Sequence, residues 1–284
     1  MKVLDSDTLK KIHSISMQIQ SPVSGQATGN RKSRSKGSSV EFSDFREYVP
    51  GDDFRRIDWN AYGRFNKLFV KLYMEEREAP INIFLDTSLS MDYGNPNKFL
   101  AACRLSAAMS YISLLAYDSI YITPWNEKAQ STYGPFRTQS ALVQIDNLIS
   151  GFSTQGKSSF SDALRNMEWK TGRGVSIVIT DGFVQEGLED GLKYLKYRNQ
   201  DVFLCLLLSP EEISPNLEGA LQLNDSETGM SIEVTVSSAL LNAYEKSFKQ
   251  YLAEIKEKCR KWGIHNVMLP SDMPVDLMVK SIIM

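Results

Sequence analysis

Two apolar runs that each stop on an aspartate constrain this chain more than any other feature. Residues 81–85 read Ile-Asn-Ile-Phe-Leu before Asp86, and residues 175–180 read Val-Ser-Ile-Val-Ile-Thr before Asp181. Runs of this length and content suit strands buried on both faces of a parallel sheet. Loops that follow such strands lie at the carboxyl edge of the sheet, where α/β folds place their ligands. Asp86 and Asp181 are therefore expected on neighbouring strands at one edge. Ser88 and Ser90 follow Asp86 at steps of two, so the first loop offers one carboxylate and two hydroxyls to a single point.

The rest of the pattern alternates in the way a doubly wound sheet requires. Residues 97–117 are apolar nearly all round, with Lys98 and Arg104 the only charges, which predicts a helix buried among other elements. Strand signals follow at 119–124, helices at 140–149 and 160–167, a helix at 189–197 and a buried strand at 202–208. Residues 220–236 carry the turn residues Asn224-Asp225-Ser226 and Thr228-Gly229 between apolar alternations, the pattern of an inserted hairpin. Leu241, Tyr244, Phe248, Tyr251, Ile255, Cys259 and Trp262 keep helical spacing up to Gly263, a natural stop. A last strand at 264–269 and a last helix at 275–284 complete an α/β, mostly parallel, Rossmann-type sheet.

Before this body the chain changes character twice. Leu9, Ile12, Ile15 and Ile19 give a short amphipathic helix, and the Ser, Gly and Gln stretch after it carries Arg31, Lys32, Arg34 and Lys36. No aromatic residue interleaves that basic cluster, so it reads as a solvated loop and not as a nucleic-acid site. Residues 37–78 are expected to form a small irregular or β subdomain packed on the sheet, with Pro50-Gly51-Asp52-Asp53 as a turn. Arg46, Arg55, Arg56 and Arg64 nearly balance Glu41, Asp52, Asp53 and Asp58, and ion pairing among them is the reading favoured here. The expected layout is thus residues 1–36, 37–78 and 79–284.

Composition narrows the function classes. With 32 basic and 34 acidic residues, the net charge of −2 points to neither nucleic acid nor an anionic membrane. The strongly apolar runs are shorter than the ~20 residues of a membrane-spanning helix, and the opening residues do not read as a secretory signal, so a cytoplasmic location is expected. Cys103, Cys205 and Cys259 are odd in number and each in an apolar setting, which fits buried free thiols.

A third oxygen-rich loop, Gly156-Lys157-Ser158-Ser159, precedes a helix start. Carboxylates and hydroxyls are the donors that magnesium takes, and neither imidazole nor thiolate competes for a softer metal. Each residue alone has an ordinary use: serines cap helices, and aspartates accept backbone N–H bonds at strand ends. It is the joint occurrence of the three loops, in this order, that points to a cation site.

Asp86-Thr-Ser88-Leu-Ser90-Met91, Ser158 and Thr180-Asp181-Gly182 resemble the metal-ion-dependent adhesion site (MIDAS) of von Willebrand factor A-like domains. Upstream, Glu41-Phe42, Arg46-x-Tyr48 and Gly51-Asp52-Asp53-x-Arg55-x-Ile57-Asp58-Trp59 resemble the bacterial domain-of-unknown-function family fifty-eight. Together these similarities cover about residues 37–284. They imply a protein-interaction module that binds Mg²⁺ or Mn²⁺, with Ser88, Ser90 and Ser158 as hydroxyl ligands and Asp86 and Asp181 acting partly through water. They further imply a MoxR-type AAA+ ATPase as a companion. Ser158 departs from the usual threonine, and the membrane-spanning helices that many relatives carry ahead of this segment are not seen in this sequence.

Three function classes follow. The leading one is a non-catalytic module in which a partner protein's carboxylate fills the last position on the cation. The second is a metal-dependent phosphohydrolase with Asp86 as nucleophile, weakened because the loop reads Asp-x-Ser where such enzymes read Asp-x-Asp. A serine hydrolase lacks its Gly-x-Ser-x-Gly elbow here, and no phosphate-cradling glycine loop is present. The third class is a scaffold in which the metal site is vestigial.

Overall fold

The structure, a computed structural model, describes residues 3–20, 41–74, 80–127, 131–165, 167, 169, 172–183 and 187–283. The basic cluster at 31–36 lies outside the described residues. In chain order the elements are α1 (Ser6–Gln20), β1 (Glu41–Glu47), α2 (Trp59–Phe65), β2 (Phe69–Met74), β3 (Pro80–Asp86), α3 (Lys98–Leu115), β4 (Ser119–Trp125) and β5 (Tyr133–Phe136). There follow α4 (Leu142–Ser150), α5 (Phe160–Arg165), β6 (Gly174–Thr180), α6 (Leu188–Tyr197), β7 (Gln200–Leu208) and α7 (Pro210–Ile213). The chain ends with β8 (Gly219–Asn224), β9 (Ser231–Val236), α8 (Ser238–Trp262), β10 (His265–Pro270) and α9 (Val275–Ile283).

Two compact units emerge, a body of Met1–Ser21 with Ala79–Met284 and a smaller unit of Pro22–Glu78. In the smaller unit β1 and β2 form an antiparallel pair, joined through a 3₁₀ turn and α2. Its charges are spent more locally than the sequence pattern suggests. Arg46 does pair with Asp52 at 2.8 Å, but Asp53 accepts from the Arg55 N–H at the start of the 3₁₀ turn. Asp58 caps α2 by accepting from the N–H groups of Asn60 and Ala61, and its ion-pair partner is Lys71. A carboxylate two or three residues ahead of free N–H groups reaches them at little entropic cost, and that outcompetes a distant arginine.

The body is built on a six-stranded sheet in the order β10-β7-β6-β3-β4-β5. All neighbours are parallel except the edge pair β4 and β5. The α/β, doubly wound, mostly parallel class expected from the alternating pattern is therefore the observed one. β3 lies in the middle, with Leu85 level with Ile179 of β6 and Asp86 level with Trp125 of β4.

Period-two alternation along β3 divides its side chains between two cores. Ile81, Ile83 and Leu85 pack with α1, α3, α4 and α9 on one face. Phe84 packs on the other face with Trp125, Val178, Phe160 and the apolar sides of α6 and α8. Asp86 follows Phe84 at a step of two and so belongs to the second face. α3 is the central helix of the first layer, which explains why its sequence is apolar all round. It is the one helix among the described residues with the length and composition to cross a membrane, and 72% of it is buried inside the protein. Its interruption by Lys98, Arg104 and serines keeps any consecutive apolar run short. On the second face α8 runs for 25 residues, capped by Ser237 at its start and ended by Gly263 in the left-handed region at φ 60°. The three cysteines are free and buried.

Candidate functional site

The first loop of the site is fixed by backbone pairing before any side chain is considered. After β3 the Thr87 N–H donates to the Trp125 carbonyl at 2.9 Å, and the Leu89 N–H donates to the Gly156 carbonyl at 3.0 Å. The Gln155 N–H returns to the Thr87 carbonyl at 2.8 Å. These bonds stitch the 86–90 loop to the 155–158 loop and bring Ser158 beside Asp86, 72 residues away in sequence.

Asp86 is fully buried and both of its oxygens are occupied by donors. Oδ1 accepts from the Ser88 N–H at 2.9 Å and the Ser88 hydroxyl at 2.6 Å. Oδ2 accepts from the Thr180 hydroxyl at 2.7 Å and the Ser158 hydroxyl at 3.2 Å. The Ser90 hydroxyl lies 3.0 Å from that of Ser88. Ser88 precedes a 3₁₀ turn, yet its hydroxyl makes no capping bond to that turn; the hydroxyl is turned to Asp86 instead. Burial first, and the charge of Asp181 second, push the Asp86 carboxyl up to about 7, against bonds from Ser88 and Thr180 that lower it.

Asp181 directly follows the neighbouring strand β6 and is equally buried. Gly182 adopts φ +80°, a conformation open to glycine at little cost. The chain thereby turns so that the Phe183 N–H donates back to Asp181 Oδ1 at 3.0 Å. The Tyr251 hydroxyl of α8 donates to the Gly182 carbonyl and holds that turn against the helix.

The sequence-derived residues Asp86, Ser88, Ser90, Ser158 and Asp181 thus gather at one sheet edge. Four others join them. Thr180 supplies a second hydroxyl to Asp86. Lys98, 1% exposed on its side chain, donates to Asp181 Oδ2 at 2.9 Å and to Glu212 Oε1 at 2.6 Å. Its ammonium also lies 5.7 Å from the ring centres of Tyr93 and Phe183. Glu212 completes a capping box with Ser209 at the start of α7. The fourth is Glu227, at the tip of the β8–β9 hairpin, whose carboxylate faces the Ser90 hydroxyl and the Ser158 N–H. Burial raises its pKa while those two groups lower it. Both of its oxygens are shielded from solvent, and neither has a donor at hydrogen-bond geometry. Lys98 had a visible signal, one of two cations in an otherwise apolar helix; Glu227 had none.

The donor set is entirely oxygen. Among the described residues no group of three or more His, Cys, Asp and Glu side chains is placed to hold one ion, so a cation here must rely on hydroxyls. Such a set fits magnesium or manganese, which take oxygen ligands and commonly use one or two carboxylates. The orphaned Glu227 carboxylate is a second sign of fit, because a buried anion without donors is costly unless a cation reaches it.

Sheet order and site together define a doubly wound, mostly parallel α/β body with an oxygen-rich loop cluster at its carboxyl edge. The family described as "Protein of unknown function DUF58" matches residues 44–254, most of the chain, and the chain belongs to that family. Uncharacterized protein Rv1480 of Mycobacterium tuberculosis (strain H37Rv) is 23% identical over 273 residues, covering 92% of this chain and 84% of that protein. Uncharacterized protein Mb1516 of Mycobacterium bovis gives the same identity and coverage. Among solved structures, an aerotolerance-related membrane protein from Bacteroides fragilis has 17% identity and TM-score 0.45, covering 72% of this chain and 98% of that one. The SpRpn10 VWA domain has 12% identity and TM-score 0.42, covering 72% and 94%.

Proposed function

We propose that the body is a non-catalytic, metal-dependent docking module for an acidic group on a partner protein. Ser88, Ser90 and Ser158 would hold Mg²⁺ or Mn²⁺, and Asp86 and Asp181 would act partly through water. When bound, the cation supplies electrophilicity toward an anionic ligand, which neutral hydroxyls leave largely unquenched. The observation that carries this reading is the buried Asp86 carboxylate, aligned by Ser88, Ser158 and Thr180 with Ser90 one hydroxyl further on. Asp86 is a poor nucleophile in this setting, since both of its oxygens already accept two bonds, and this weighs against the phosphohydrolase alternative. The family resemblance suggests a MoxR-type AAA+ ATPase as a companion in the assembly or maturation of other proteins.

A second reading is favoured by Lys98: a scaffold in which the lysine ammonium supplies the positive charge and the metal site is vestigial. Thermal unfolding with and without millimolar magnesium separates the two. A ligand bound only by the native state, at a hundredfold excess over its dissociation constant, adds about 2.7 kcal/mol. A rise in melting temperature that Ser88→Ala and Asp86→Ala abolish is expected. Identical melting of wild type and both variants in either buffer would overturn the docking reading and leave the scaffold.

A further inference from the structure

The β8–β9 hairpin forms a two-stranded sheet of its own. Leu223, Met230 and Ile232 are exposed on it, and an isolated two-stranded hairpin is only marginally stable in water. Its tip, by contrast, is tightly built: Asp225 Oδ1 accepts from the N–H groups of Glu227 and Thr228 at 2.9 and 2.7 Å. The Gly229 N–H closes the turn on the Asp225 carbonyl. This turn presents Glu227 to the serine cluster, where its two oxygens lose solvent and face the Ser90 hydroxyl and the Ser158 N–H without reaching hydrogen-bond geometry to either. Lys98, the nearby buried cation, is already committed to Asp181 and Glu212.

We infer that Glu227 is this chain's own carboxylate ligand to the cation held by Asp86, Ser88 and Ser90, occupying the place that a partner's acidic group takes when it displaces the hairpin tip. The inference rests on the docking reading above. Lys98 is shared by Asp181 and Glu212, which leaves Asp86 and Glu227 as the two carboxylates a dication at the serine cluster would meet. A cation bridging the tip to the body would tie this hairpin to the sheet edge. Partner binding then becomes an exchange of one carboxylate for another.

The test uses the full chain and Mn²⁺ as the probe. Mn²⁺ affinity is measured by titration calorimetry for wild type, Glu227→Gln, Ser88→Ala and, as a control carboxylate on the same hairpin, Glu233→Gln. Amide hydrogen exchange of residues 219–236 is followed with and without Mn²⁺. Loss of an outer-shell partner already weakens metal binding by about 10–100-fold, so Glu227→Gln is expected to weaken it by at least about tenfold, with Glu233→Gln unchanged. Mn²⁺ is expected to protect hairpin amides in wild type and not in Glu227→Gln. Ser88-dependent Mn²⁺ binding by wild type with an unchanged affinity and hairpin exchange in Glu227→Gln would overturn this inference alone. No Mn²⁺ binding by wild type would overturn both this inference and the docking reading. Coincident far-ultraviolet circular dichroism spectra of wild type and Glu227→Gln establish that the variant is folded.

Discussion

Replacing Lys98 by Met tests whether the site is a charge-balanced unit. Lys98 occupies the first turn of α3, where the helix dipole disfavours a cation by about 0.3–1 kcal/mol. That position is tolerable because Asp181 and Glu212 receive the ammonium at 2.9 and 2.6 Å with side-chain exposures of 0% and 15%. At an effective dielectric of about 20, one such contact is worth roughly 6 kcal/mol before desolvation is subtracted. Methionine keeps most of the apolar stem but leaves two carboxylates without their cation, a change that typically costs about 3–5 kcal/mol. Against a typical total stability of about 5–15 kcal/mol, that loss is readily measured by urea unfolding followed by circular dichroism. Adding Asp181→Asn removes one of the two orphaned charges, so the double variant should be less destabilised than the sum of the single ones by about 0.5–3 kcal/mol. A loss below about 1 kcal/mol for Lys98→Met, or strict additivity in the double variant, would refute the argument that Lys98 and Asp181 act as one buried pair.

Phe160 lies at the start of α5, its ring centre 4.8 Å from that of Trp125 and 5.7 Å from that of Phe84, fully buried beneath the site. Phe160→Ala should cost about 3–5 kcal/mol in urea unfolding, and a loss under about 1 kcal/mol would contradict its place in that core. The purified protein should not hydrolyse p-nitrophenyl phosphate or p-nitrophenyl acetate, with or without Mg²⁺; metal-dependent turnover lost in Asp86→Asn would replace the docking module with an enzyme.

The sheet was legible because its central strands are buried on both faces, so apolar residues dominate them until the chain reaches the edge, and the polar exceptions Asn82 and Ser176 both donate to Gln200. Asp86 and Asp181 announced that edge. α3 and α8 were legible for a related reason: their spacing extends over many turns, and Gly263 marks the end of α8. β5 was not legible. It is an exposed edge strand whose Gly134-Pro135 pair reads as a turn, and only its pairing with β4 makes it a strand. α7 is four residues long, too short for any periodicity.

The site divides along the same line. Asp86, Ser88 and Ser90 share one loop, so spacing alone brings them together. Ser158 and Asp181 could be read because oxygen-rich loops end or precede predicted elements. Lys98 stood out by its charge, but its partners Asp181 and Glu212 are 83 and 114 residues away, and no local pattern encodes a pairing at that separation. Glu227 sits among turn residues whose local job is to make a hairpin. Its second role follows from where the tip is delivered in space, and that depends on the whole fold. The acidic residues of the small unit teach the converse, since Asp53 and Asp58 were assigned to arginines when nearer N–H groups were available.

The central claim is that Asp86, Ser88 and Ser90 hold a divalent cation, and anomalous diffraction from crystals grown with Mn²⁺ tests it most directly. The account expects an anomalous peak bonded to the Ser88 and Ser90 hydroxyls beside Asp86, present in wild type and missing from Ser88→Ala crystals grown in the same solution. Diffraction from well-ordered wild-type crystals that shows no peak at this sheet edge, or a peak elsewhere that Ser88→Ala leaves intact, would contradict it.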